Sequence, residues 1–109
     1  MTELVDKNCT QQDGPALSPA TAESLLGQLD GWNICDDGNS VHRTFEFKNY
    51  YRTMAFVNAV AWIAHREDHH PDMEVGYNRC TVRYSTHSVS GLSENDLICA
   101  AKVDNLLRD

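Results

Sequence analysis

The 109-residue chain has no C-x-x-C pair, although it carries four cysteines, Cys9, Cys35, Cys80 and Cys99. Scattered singly, they suit neither a zinc ribbon nor the dense spacing of a disulfide framework. A reduced, cytoplasmic setting fits them better, with Cys80 and Cys99 as small buried apolar residues and Cys9 exposed. No apolar run approaches the roughly 18 residues that span a bilayer, so a membrane-spanning helix is not expected. The opening MTELVDKNCTQQDG lacks the apolar centre of a signal peptide, and export by that route is not expected either. Positive charge is also short, and the formal net charge is −7. That sign argues against a protein whose main task is to grip phosphate backbones of nucleic acid. It leaves room for a protein partner or for a small ligand in a locally different pocket.

What remains is an ordinary globular composition, 41% apolar and 23% charged, long enough for one modest core. Residues 1–16 are polar and aperiodic and read as a flexible tail, leaving 17–109 as a single domain. Ser18 is a good N-cap, Pro19 suits the first helical position, and Leu25, Leu26 and Leu29 form a stripe that Gly31 ends. WNIC reads as a strand and DDGNS as a turn. In VHRTFEF the alternation is clean: Val41, Arg43, Phe45 and Phe47 point one way, His42, Thr44 and Glu46 the other. From Asn49 the period changes to that of an amphipathic helix, with Met54, Val57, Ala61 and Ala64 on one face, widened by Val60 and Phe56, ending before Pro71. Alternation returns over YNRCTVRYSTH, with Cys80, Val82 and Tyr84 opposite Tyr77, Arg79, Thr81, Arg83 and His87. Ser93 then caps a last helix, with Asp96 three residues on as an acidic capping-box partner and Leu97, Ala100, Ala101 and Leu107 as the core face. The expected fold is α+β: an antiparallel four-stranded sheet with helices packed on one face, in the order α-β-β-α-β-β-α.

The chemistry concentrates in HREDHHPD, residues 65–72. On a helix, His65 and His69 at i and i+4 share a face and could chelate one ion. The metalloprotease pattern H-E-x-x-H has that spacing, but here Arg66 follows the first histidine and Glu67 lies about 100° further round. No cysteine or carboxylate stands at a recognised ligand spacing, so no metal is expected. A solvated helix end, favoured by the macrodipole, is the plain alternative. Against it, the residue before a proline avoids the α region, so His70 should leave the helix and point away from His69. His87, at the end of the last alternating strand, could complete a set of imidazoles. Asp96 has two readings, a helix cap or a carboxylate that orients an imidazole.

These residues resemble a known signature. H-x(3)-H-H-P-x(5)-Y-x(9)-H-x(8)-D, here His65, His69, His70, Pro71, Tyr77, His87 and Asp96, is similar to that of pterin-4a-carbinolamine dehydratase. The vertebrate members are also known as a dimerisation cofactor of a homeodomain transcription factor. STH at 85–87, GLSENDL at 91–97 and R-x-F-x-F at 43–47 extend the likeness over roughly residues 17–107.

The resemblance implies dehydration of 4a-hydroxytetrahydrobiopterin to quinonoid dihydropterin and water, a step that recycles the cofactor of aromatic amino-acid hydroxylases. Imidazoles suit this chemistry because they titrate near neutrality and can both donate and accept protons. It assigns His69 and His87 as an acid–base pair, His70 as a pterin-holding and catalytic residue, and Asp96 as the acidic group of the site. His65 stands where vertebrate relatives carry glutamate and, with Tyr77, would contact substrate; Tyr77 and Trp62 could instead serve packing. No cofactor is implied. A homodimer or homotetramer is implied, built through edge strands and helices. The other function consistent with the resemblance is a non-catalytic, dehydratase-like protein that assists dimerisation, assembly or transcription.

Overall fold

The computed structural model describes residues 3–107. The first two residues of the expected tail and the last two of the expected domain lie outside them. Helix α1 spans Pro19–Leu26, strand β1 Asn33–Ile34 and strand β2 Val41–Glu46. Helix α2 follows at Tyr50–Glu67, then strands β3, Asp72–Val75, and β4, Arg79–Tyr84, and helix α3, Glu94–Asn105. The sheet is antiparallel throughout, in the order β1-β2-β4-β3, so β2 and β4 form its centre. This is the expected α+β order, with the hairpin β3–β4 emerging from the histidine stretch. No helix among the described residues is long and apolar enough to cross a membrane.

Local rules account for most of these elements. The Ser18 hydroxyl accepts from Thr21 N–H with Pro19 in the first turn, and the Asn49 side chain accepts from Arg52 N–H at the start of α2. Beyond Leu26 the chain continues in tight turns rather than helix, so α1 ends before Gly31. Central-strand pairing runs from Val41↔Tyr84 to Glu46↔Arg79, which places Val41, Phe45, Cys80, Val82 and Tyr84 on the buried side. Each large apolar side chain removed from water there stabilises the fold by about 1.5–3 kcal/mol.

Three details depart from the expectations. On α2 the expected Phe56, Val60 and Ala64 are buried, but Thr53 joins them and Ala61 is exposed. Thr53 occupies a core position because its hydroxyl bonds the carbonyls of Asn49 and Tyr77, tying the start of α2 to the β3–β4 turn. Leu107 is also exposed, since α3 ends at Asn105. Most of α3 is buried instead, including Ile98, Cys99 and Val103, because a second layer covers it. That layer is the N-terminal segment. Leu4 is buried in the core, Lys102 Nζ donates to Val5 O (2.9 Å), and Lys7 pairs with Glu94 (3.0 Å). Residues 4–12 of the expected tail thus lie along α3, and Cys9 is half-buried rather than exposed.

Candidate active site

Helix α2 stops two residues before the His69–His70 pair. Asp68 adopts a left-handed conformation (φ 52°), and His69 N–H reaches back to Ala64 O (3.1 Å), the outer bond of a Schellman-type end. The turn at Asp68, not Pro71, therefore breaks the common face of His65 and His69. His65 stays on the exposed side of α2 beside the Trp62 ring, 5.7 Å between centroids. His69 is turned inward. Among the described residues, no group of three His, Cys, Asp or Glu side chains is arranged to hold a metal ion.

His69 meets Asp96, 27 residues further along the chain, with Nε2 2.6 Å from Oδ1. Its ring stacks on Tyr84 at 5.8 Å and an interplanar angle of 9°. The Asp96 carboxylate is fully buried, and its other oxygen, Oδ2, accepts from Thr86 Oγ1 (2.8 Å) and Ser93 N–H (2.9 Å). One oxygen completes the capping box of α3 while the other holds the imidazole. Asp96 thus makes both contacts at the same time and by different atoms. An ionised carboxylate can only accept, so with Asp96 ionised His69 Nε2 is the donor of this bond.

Beside this pair lies a polar cavity of about 400 Å³. His69, Asp68 and Glu67 form its α2 side, with Ser88 and Asn95 opposite and residues Cys9–Gln12 as a further wall. His87 begins a short 3-10 turn, His87–Val89, three residues beyond the end of β4, and is exposed next to Ser88. Thr86, just before it, bridges Gly91, where a Cβ would lie 2.9 Å from that of Ala16. His70 is exposed as well. Tyr77 is not brought to His69. It sits at the β3–β4 turn, beyond the other end of β3, stacked on Tyr50 at 6.3 Å.

Two parts of this site have no counterpart in the sequence reading. Tyr84 was legible only as a core residue; burial holds its phenol well above the ordinary value of 10.0, and its hydroxyl finds no protein partner among the described residues. The N-terminal wall is held by Asn95, whose amide takes Thr10 N–H (3.1 Å) and gives to Thr10 O (2.7 Å). Glu67 accepts from Cys9 N–H (2.7 Å), and Ser88 Oγ donates to Gln12 O (2.9 Å). The available signals were weak: Leu4 and Val5 in an otherwise polar tail, and a polar Asn95 that proves buried.

The profile of the Pterin 4 alpha carbinolamine dehydratase family matches residues 15–106. The chain belongs to that family. A Nitrosomonas eutropha protein provisionally named pterin-4-alpha-carbinolamine dehydratase is 61% identical over 108 residues, covering 96% of this chain and 94% of the relative. A similarly named protein of Xanthomonas campestris is 55% identical over 111 residues, covering 97% and 94%. Among solved structures, a transcriptional coactivator/pterin dehydratase from Brucella melitensis aligns with a TM-score of 0.82 at 32% identity, covering 85% of this chain and 99% of that one. A pterin dehydratase-like RuBisCO assembly factor of the alpha-carboxysome aligns with a TM-score of 0.61 at 23% identity, covering 70% of this chain and 88% of that one; this likeness is one of fold. The histidines and the aspartate of the dehydratase-like signature thus fall at the end of α2, just after β4 and at the start of α3.

Proposed function

We propose that this family member dehydrates 4a-hydroxytetrahydropterin to quinonoid dihydropterin and water, with His69 as an acid–base residue oriented by Asp96. The observation that carries this reading is the 2.6 Å bond from a buried carboxylate to an imidazole that lines a polar cavity. In the reaction, the lone pair of the neighbouring ring nitrogen forms the double bond to C4a as the C4a–OH bond breaks. The leaving hydroxyl takes up a proton, and the ring nitrogen gives one up. An imidazole with one nitrogen fixed on a carboxylate can relay such protons through the other, a contribution of about 10²- to 10⁴-fold in rate. Nothing in this sequence of steps requires a metal or an organic cofactor.

His87 fits the role of second acid–base group, and His70 that of a pterin-holding and catalytic residue; His65 and Tyr77 are the outer substrate contacts of this reading. The substrate is the product of aromatic amino-acid hydroxylation, so the hydroxylase is a functional partner in a shared, cytoplasmic setting. Association into a homodimer or homotetramer goes with this reading. Strand β3 lies at the sheet edge with Val75 exposed, and α2 presents Tyr51 and Trp62 to solvent.

The test is loss of the carbinolamine followed by ultraviolet absorbance, with the spontaneous rate subtracted. Wild type should accelerate it, and His69→Ala and His87→Ala should lose about 10²-fold or more of that acceleration. Wild-type protein giving only the spontaneous rate would leave the assembly or coactivator role, which does not need the imidazoles.

A further inference from the structure

We propose that Cys9 and Cys99 form a reversible disulfide that fastens the N-terminal segment beside the His69 cavity. Their sulfurs lie 3.4 Å apart across 90 residues of chain, while both remain free thiols. Bond formation needs a closure to about 2.0 Å. The Cys9 side can supply that movement, because the segment is held by side-chain bonds from Glu67 and Asn95 rather than by a strand ladder. Cys35 and Cys80 are placed otherwise: Cys35 contacts His42 Nδ1 at 3.2 Å on the β1–β2 hairpin, and Cys80 is buried in β4.

The two thiols also have unequal access. Cys9 is half-buried and lines the cavity, so hydrogen peroxide can reach it; Cys99 is fully buried behind it. The hydrogen bond with Cys9, reinforced by burial, keeps the Cys99 thiol far above its ordinary value. Cys9 therefore reacts first and Cys99 resolves. The Cys9 sulfur attacks the peroxide O–O bond, giving a sulfenic acid and one water. The Cys99 sulfur then displaces the sulfenic hydroxyl, forming the S–S bond and releasing a second water. Both thiol protons leave in the waters, the peroxide is reduced by two electrons, and the thiol pair is oxidised. A dithiol reductant reverses the change. Cys99 is three residues after Asp96 on α3, so the bond would fasten the cavity wall to the helix that orients His69.

The test treats fully reduced full-length protein with hydrogen peroxide, alkylates the remaining thiols after unfolding, and maps peptides by mass. Expected are a linked Cys9–Cys99 peptide, its reversal by dithiothreitol, its absence in Cys9→Ser, and a rise in Tm of about 5 °C or more over the reduced form. Oxidation of Cys9 to sulfinate while Cys99 stays alkylatable would overturn the proposal, as would a linkage through Cys35. A mapped Cys9–Cys99 bond with unchanged Tm would refute the fastening. None of these readouts depends on dehydratase activity, so the pair can fail while the catalytic reading stands, and the reverse.

Discussion

Helix α3 carries a buried aspartate at each end, and their surroundings differ. Asp104, in the last turn, accepts from Trp32 Nε1 and Arg43 Nη1, each at 2.8 Å. Asp96, in the first turn, accepts from a hydroxyl, a backbone amide and His69. One partner set holds its charge at every physiological pH. The other includes the single side-chain type that titrates near neutrality. Asp104 ties Trp32 and Arg43 to the end of α3, and the cavity it lines holds no histidine among the described residues. Asp96 does comparable structural work with one oxygen and holds an imidazole at a cavity with the other. Tyr84 lies between the two, its ring 6.2 Å from Trp32 and 5.8 Å from His69. Burial of a carboxylate is thus not what marks a site here; the nature of its partner is.

The largest effect expected from breaking this contrast is at Asp104. Asp104→Ala leaves the Arg43 guanidinium and the Trp32 N–H without their acceptor, and should cost about 3 kcal/mol in urea unfolding. Next, Asp96→Asn keeps an acceptor for the cap but removes the charge that holds His69. It should lower dehydratase turnover about 10²-fold while costing only about 1 kcal/mol of stability, so that kinetics and unfolding separate. The reverse pattern, a large loss of stability with full turnover, would make Asp96 a second Asp104.

Smaller effects concern the groups around that pair. Tyr84→Phe removes a buried hydroxyl that has no protein partner and should gain up to about 1 kcal/mol. It should also change the alkaline limb. A phenol held above its ordinary value in the folded state stays protonated while the unfolded chain ionises. Stability is therefore full below pH about 10 and falls as pH rises beyond it. Unfolding titrations from pH 8 to 11 should show a shallower fall for Tyr84→Phe; the raised Cys80 and Cys99 thiols act in the same direction from somewhat lower pH and remain in the variant. The smallest change expected is at Asp68. Glycine accepts φ 52° without a Cβ penalty, so Asp68→Gly should gain about 0.5 kcal/mol in thermal unfolding.

The sequence alone settled the elements whose causes are local. Alternation over Val41–Phe45 and Cys80–Tyr84 depends on period two, and the starts of α1, α2 and α3 on Ser18, Asn49 and Ser93. The same short-range pattern suggested the histidines, but it put His65 and His69 on one face. A left-handed Asp68 carries no strong sequence signal, since only glycine or asparagine advertises that conformation. One such residue reassigned the neighbours of His69. The bond from His69 to Asp96, the stacking on Tyr84, the wall formed by Cys9–Gln12 and the approach of Cys9 to Cys99 were decided by tertiary structure. Each joins side chains many residues apart, through the packing of α2, α3, β4 and the N-terminal segment, and no periodicity or cap rule reaches that far.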